Sequence, residues 1–371
     1  MPVFKASGFF VPMRTTHIPV SPDWYTVILQ TYANREHGEV TKRSMTMGAI
    51  ARRITRVITA VVCVAVSVGV SVATLHVPTR EGGGERFNPA RYRSDVIADT
   101  VINHTTGVDK TQGTGTAGSP YDNKGYFPEA GYTPSDFHAP CSIWTYRDAE
   151  SVWNCQVSGL QDLDTSSPHV RDVLSDYFVK LLDYGVAGFR VDAVKHMPPE
   201  DVLAIKKLVA KKSGRSMNDI WWTQEVIGDN AEAAEIQPRN YLKTGQVNEF
   251  QYAYRLKSLF SNSLAGGSLS IKDIPQNITD SGKASVFVTN WDTERNNMTL
   301  TYKDGDAYRL ANAFMLAYPY GAPNVFSGYE FHDTDSGASG ATATSVPDID
   351  CSKDSGWSCT ERWPDVHGMV G

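Results

Sequence analysis

The stretch Gly185-Val186-Ala187-Gly188-Phe189-Arg190-Val191-Asp192-Ala193-Val194-Lys195-His196 decides how the chain is read. A short apolar run closes on an acid, Asp192, and an amphipathic segment lies on each side: SPHVRDVLSDYFVKLLDYG (167–185) and PPEDVLAIKKLVAKK (198–212). Pro168 opens the first helix and Gly185 stops it, while Pro198 and Pro199 open the second, which are the residues that helix ends favour. DVIADTVINH (95–104), WWTQEVIG (221–228), VNEFQY (247–252), SVFVTNWD (285–292) and PNVFSGYE (323–330) also read as strands that end in polar residues. Strands alternating with helices predict a parallel sheet wrapped by helices. Residues 105–164 break that alternation. They are rich in Gly, Thr, Tyr and Asp without a helical period, and read as an excursion inserted after the first of these strands.

In an α/β barrel the reactive groups sit at the carboxyl ends of the strands, so an acid that closes an apolar run has a geometric reason to be a candidate. Asp192 follows Gly188-Phe189-Arg190-Val191, Glu225 follows Trp221-Trp222-Thr223-Gln224, and Asp292 follows Phe287-Val288-Thr289-Asn290-Trp291. Two or three such carboxyls suit glycoside cleavage, which needs one carboxylate to attack the anomeric carbon and one acid of raised pKa to protonate the leaving oxygen. Taken singly, each could equally be a solvated loop residue or a helix cap. Arg190 sharpens the case, because two residues from Asp192 its side chain shares a strand face and can hold that acid ionised; a structural ion pair is the other reading.

Bulk properties narrow the partners. The 371 residues are 41% hydrophobic and 20% charged, with a formal net charge of -6, and no basic block offsets that acidity. A nucleic-acid partner is therefore disfavoured and a neutral polymer is an easier ligand. Four of the five cysteines form two close pairs, Cys141 with Cys155 and Cys351 with Cys359, each closing a polar loop without CxxC spacing; this suits disulfides better than zinc, with four reduced thiols as the alternative. The fifth, Cys63, lies in the small-apolar run Val57 to Ala73, which follows Arg52, Arg53 and Arg56 and has the layout of a signal peptide, with a membrane anchor as its rival. Residues 1–46 ahead of it read as an extension upstream of a start at Met45 or Met47, although Asp23 to Ala33 holds an apolar run that could be a strand; 74–94 reads as an irregular junction.

The segments ADTVINH, GFRVDAVKH, WTQEVI and FVTNWDTERN, taken together and in this order, resemble the four ordered sequence blocks of the α-amylase family. The likeness continues through WNCQVSGLQDLDT, VNEFQYAYRLK, LANAFMLAYPYGAPNVFSGYEF and GWSCTERWPDV, and so covers nearly everything from Asp95 to Gly371. It implies a TIM (β/α)8-type barrel, carried here by 95–104 and 165–371, with 105–164 as an irregular calcium-binding lobe inserted after the third strand. It implies a secreted retaining hydrolase of α-1,4-glucans, with Asp192 as nucleophile, Glu225 as general acid and then base, and Asp292 binding and distorting the sugar. His104 and Arg190 would face the substrate, and Lys195 and His196 would line the leaving-group side. Calcium would be held by side-chain oxygens of Asn103 and Asp162 and the carbonyls of Trp153 and His196, hard ligands such as this ion prefers. Arg190, Asn290 and Arg362 stand in the positions of the chloride ligands of animal-type members, which implies a chloride site, with Arg362 as a surface arginine after a disulfide as the alternative reading. A monomer with no lasting membrane association is expected once the signal is cleaved.

Two departures bear on these expectations. Trp291 stands where most members have His before the third acid, which removes one hydrogen bond to the sugar. The two βα units that precede the ADTVINH strand in the family find no counterpart in the some twenty residues after the signal run, nor does the antiparallel β domain that follows in the family, so the barrel is expected to be incomplete. The competing expectation from another class is a glucan-binding remnant without turnover. A transglycosylase would use the same covalent intermediate.

Overall fold

The computed structural model describes residues 26–28, 96–109, 111–115, 118–261, 270–342, 345, 347–352 and 355–370. The signal run 47–73, Cys63 and the junction 74–94 lie outside the described residues. The chain divides into two compact units, the first ending at Asn248 and the second running from Glu249 onward.

In the first unit, β1 (Thr26–Ile28) pairs antiparallel with β2 (Ile97–Thr100). Between β2 and the next strand of its sheet come β3 (His104–Gly107), β4 (Gln112–Thr114), β5 (Pro120–Asp122), helix α1 (Ala149–Trp153) and β6 (Leu160–Asp162). β3 pairs antiparallel with β6, and β4 with β5, so this excursion has small sheets of its own. The Cys141–Cys155 disulfide spans α1, and Phe127, Tyr132 and Phe137 pack together beneath the loops.

Helix α2 (Pro168–Asp183) follows, then β7 (Gly188–Val191), α3 (Pro199–Ser213), β8 (Trp221–Gln224) and β9 (Gln246–Asn248). β2, β7, β8 and β9 are parallel neighbours in that order, the alternation that the sequence predicts. The ends of α2 form as its sequence directs: Ser167 Oγ accepts from the Val170 N–H, Pro168 fills the first turn, and Gly185 takes a φ of 98° just past the end. Val170, Leu174, Phe178, Leu181 and Leu182 form its buried stripe. Phe178 lies 4.6 Å from Phe189 of β7 and 5.0 Å from Trp222 of β8, ring centre to ring centre, so helix and sheet close over three aromatic side chains. Burying each contributes about 2 to 3 kcal/mol. A Cβ on Gly188 would stand 2.3 Å from the Trp221 carbonyl oxygen, so only glycine lets β7 and β8 approach at this point.

The second unit begins with α4 (Phe250–Ser261) and continues through β10 (Ala284–Phe287), α5 (Asp306–Ala317), β11 (Ala322–Asn324) and α6 (Pro364–Val370). β10 and β11 are parallel, in register Val286 to Pro323. Tyr252 and Leu256 of α4, Val286 of β10, and Tyr308, Phe314 and Met315 of α5 form its core. The Cys351–Cys359 disulfide lies near its end.

Candidate active site

The register of β7 and β8 sets the first feature of the site. Val191 is opposite Gln224, so the residues that follow, Asp192 and Glu225, emerge side by side at the carboxyl edge of the sheet. Backbone bonds extend the ladder past the strand ends: Asp192 N–H to Thr100 O at 2.9 Å, Glu225 N–H to Val191 O at 2.9 Å, and Val194 N–H to Glu225 O at 3.0 Å. Both acids are thereby fixed by main chain rather than by loop packing.

Arg190, the last but one residue of β7, is buried and serves three carboxyls. Its Nη1 reaches Asp192 Oδ1 at 2.5 Å and Asp99 Oδ1 at 2.9 Å, and its Nη2 reaches Glu225 Oε2 at 3.0 Å. Ala193, in the left-handed region at φ 50°, turns its N–H onto Glu225 Oε2 at 2.9 Å. Burial pushes the Glu225 carboxyl up; Arg190 and the Ala193 N–H pull it down, and Asp192, which shares a hydrogen bond with it, raises it again, for a net rise. Arg190 itself is held well above its usual range, the three acids outweighing its burial. The arrangement sets two acids on one guanidinium, with burial raising Glu225, a pairing suited to acid–nucleophile chemistry.

His104, half-buried at the start of β3, and buried His196 are both pushed down to about 4 by burial, with Glu225 opposing, so both rings are neutral near pH 7. Lys195 is buried and ion-paired to Glu232 at 2.5 Å, its Nζ lying 5.4 Å from the centre of the Tyr146 ring, which packs edge-on against His196. Thus His104, Arg190, Asp192, Lys195, His196 and Glu225, singled out from the sequence, all lie in the first unit. Asp99, Tyr146 and Glu232 were not singled out. Asp99 had a signal, an acid inside an apolar strand; Glu232 had none, since its tie to Lys195 spans 37 positions of chain that include α3 and β8.

The candidate cation ligands also lie in this unit. Asn103 and Asp162 are buried and bonded to one another, Nδ2 to Oδ1 at 3.1 Å, while Asn103 Oδ1 accepts no hydrogen bond from the described residues. Burial pushes Asp162 up to about 6 even though His138 Nδ1 lies 2.7 Å from its Oδ2. Trp153 ends α1, where helix carbonyls lack helical partners. An unpartnered buried amide oxygen beside a destabilised buried carboxylate fits a hard cation.

Asp292 belongs to the second unit. It is exposed, in a turn where Asn290 Oδ1 accepts from the N–H groups of Asp292 at 3.1 Å and Thr293 at 2.8 Å. Asn290 is thus engaged as a turn cap. Arg362 is exposed and ion-paired to Glu361 at 3.5 Å, and Arg190 contacts three acids. Next to Asp292, buried Glu294 was missed; burial pushes it up to about 7 against the pull of Arg295 and Lys303.

Comparison with known proteins gives these features a family. The model of the α-amylase catalytic domain matches residues 94–363. An α-amylase of Tenebrio molitor is 37% identical over 311 residues, 80% of this chain and 65% of that one, and an α-amylase of Streptomyces violaceus is 40% identical over 278 residues, 74% and 45%. Among solved structures, α-amylase I of Eisenia fetida superposes with a TM-score of 0.66 at 29% identity, covering 72% of this chain and 59% of that one; a variant of it has been solved in complex with maltohexaose. The chain therefore spans less than two thirds of the length of these relatives. With a family match over that much of its sequence and a fold shared at this level, the chain belongs to the α-amylase catalytic domain family.

Proposed function

We propose that this chain carries the machinery for retaining hydrolysis of α-1,4-linked glucans. The observation that carries the reading is the pairing of Asp192 and Glu225 on one buried guanidinium at the carboxyl ends of adjacent parallel strands. Asp192 attacks the anomeric carbon as the Glu225 carboxyl gives its proton to the departing glycosidic oxygen, leaving a covalent glycosyl ester on Asp192. Glu225, now a carboxylate, takes a proton from water, whose oxygen displaces Asp192 and restores the original anomeric configuration. Neutral His104 and His196 can hydrogen-bond sugar hydroxyls without adding positive charge beside Glu225. Lys195, pinned by Glu232, is suited to the leaving-group side. The role of Asp292 as third acid rests on its sequence block alone. The maltohexaose complex of the Eisenia fetida relative supports an α-glucan chain as the ligand.

Calcium fits the Asn103 and Asp162 oxygens, with the Trp153 and His196 carbonyls as further donors. When bound it would supply charge compensation to the buried Asp162 and tie β3 and β6 to the turn after β7. The two disulfides support an oxidising, extracellular location.

The test is hydrolysis of soluble starch by the purified chain and its Glu225→Gln and Asp192→Asn variants. Each variant should lower kcat by roughly 10² to 10⁴-fold or more, with products released as the α-anomer. Release of the β-anomer, or a Glu225→Gln protein as fast as the parent, overturns the reading.

A further inference from the structure

One guanidinium serves three carboxyls, and only two of them take part in the reaction proposed above. The third, Asp99, sits inside β2, in register with Arg190 of β7, and is 8% exposed. Its Oδ1 takes the same Nη1 that binds Asp192, while Nη2 is turned to Glu225. Among the described residues, the charged and titratable groups around it are Arg190, Asp192 and Glu225, with His104, His196 and Lys195 beyond Glu225. On the far side β1 pairs with β2 in a register that sets Thr26 opposite Asp99.

This placement poses a question of charge. Arg190 touches Asp192 and Glu225 at once, and under the hydrolase reading it must do so without stripping the Glu225 proton. With only those two acids to serve, a buried guanidinium would favour the anionic form of both. A neutral amide at position 99 could accept the same hydrogen bond, so the hydrogen bond alone does not call for an acid there. Resting on the hydrolase reading, we propose that Asp99 is a positioning residue acting through Arg190: from the neighbouring strand it clamps the guanidinium and takes a share of its charge, so that Glu225 retains the proton it must deliver. Asp99 is itself pushed up to about 7 by burial, with Arg190 opposing and Asp192 and Glu225 adding to the rise. Its negative charge therefore grows on the alkaline side, where the Glu225 proton is at risk. The acids titrate as a coupled set rather than singly.

The experiment compares the pH profile of kcat/KM on soluble starch for the wild type, Asp99→Asn and Asp99→Glu, with circular dichroism as a check of folding. In Asp99→Asn the alkaline limb should move to lower pH by about one unit. Asp99→Glu, which restores the charge, should bring the limb back even if kcat is reduced. A merely structural role would lower kcat or stability and leave the limb where it is, and an Asp99→Asn profile superimposable on the wild type overturns the proposal. Carbon-13 NMR titration of the labelled carboxyls reads the same coupling without turnover: Glu225 should lose its proton at lower pH in Asp99→Asn. If the wild type does not hydrolyse starch, the hydrolase reading falls, and this titration still decides whether Asp99 holds the proton on Glu225. Should Asp99→Asn fail to fold, the wild-type titration decides. Coupled, two-step curves for Asp99 and Glu225 uphold the proposal, and independent single-step curves overturn it.

Discussion

At the ends of β7 and β8 two acids follow the last strand residue directly, are partly buried, and share Arg190; past β10, Asp292 comes five residues after Phe287, exposed, in a turn capped by Asn290. The first geometry is non-local. Its defining bond joins residues 91 apart in sequence, Arg190 to Asp99, and it stands only where the parallel ladder is in place. The second is local, a side chain closing a turn onto N–H groups two and three residues on. Acids that must share a proton and a counter-ion are set by the sheet, whereas an acid held in solvent can be set by a few neighbouring residues.

The largest expected effect tests that contrast directly. Arg190→Met leaves three acids without their cation and should cost about 3 to 5 kcal/mol at neutral pH in urea denaturation. Arg295→Met in the second unit, which removes a partly exposed cation stacked 4.3 Å from the Phe331 ring centre, should cost about 1 kcal/mol. Equal losses would break the comparison. Next comes Glu294→Gln. Burial lifts the Glu294 pKa from 4.5 to about 7 in the folded chain, so the folded state binds its proton more tightly than the unfolded chain does. The stability tied to that proton is full below pH 4.5 and is lost as pH rises through 7. A neutral glutamine should therefore be more stable than the parent by about 1 to 2 kcal/mol at pH 8 and should gain nothing at pH 4, read from thermal unfolding at the two pH values.

Asn290→Ala should cost about 1 kcal/mol, the usual worth of such a cap, and should leave the wild-type titration of Glu225 unchanged. A shift in that titration would mean that the turn is coupled to the Arg190 cluster. Smallest is Ala193→Gly: the residue sits at φ 50°, so glycine relieves a strained conformation while adding chain entropy to the unfolded state, for a net gain of about 0.5 kcal/mol. A loss instead would mean that the alanine methyl packs against something the fold needs.

Much of this was legible because the signals are local. Pro168 and Gly185 bracket a helix, and an acid closing GFRV or WWTQ marks a strand end. Arg190 and Asp192 were expected to share a strand face, and they are in contact. What stayed hidden depends on register between strands or on long loops. Asp99 looks like one more polar residue in ADTVINH until β2 is laid beside β7, and Glu232 has no pattern of its own. Ala193 could not be read as left-handed, since nothing in its type announces a positive φ. Exposure of Arg362 is likewise a property of packing that its neighbours in sequence do not dictate.

The main-chain bonds that run past the last residues of β7 and β8 make the sheet a ruler for the reaction. Neighbouring strands lie about 4.8 Å apart, close to the gap over which two carboxyls can address one bond. Sliding β8 by a single residue would point Glu225 to the opposite side of the sheet, so the pair has no half-working intermediate. Lineages can reshape the surrounding loops, and with them the choice of glucan, as long as that one rung of the ladder is kept.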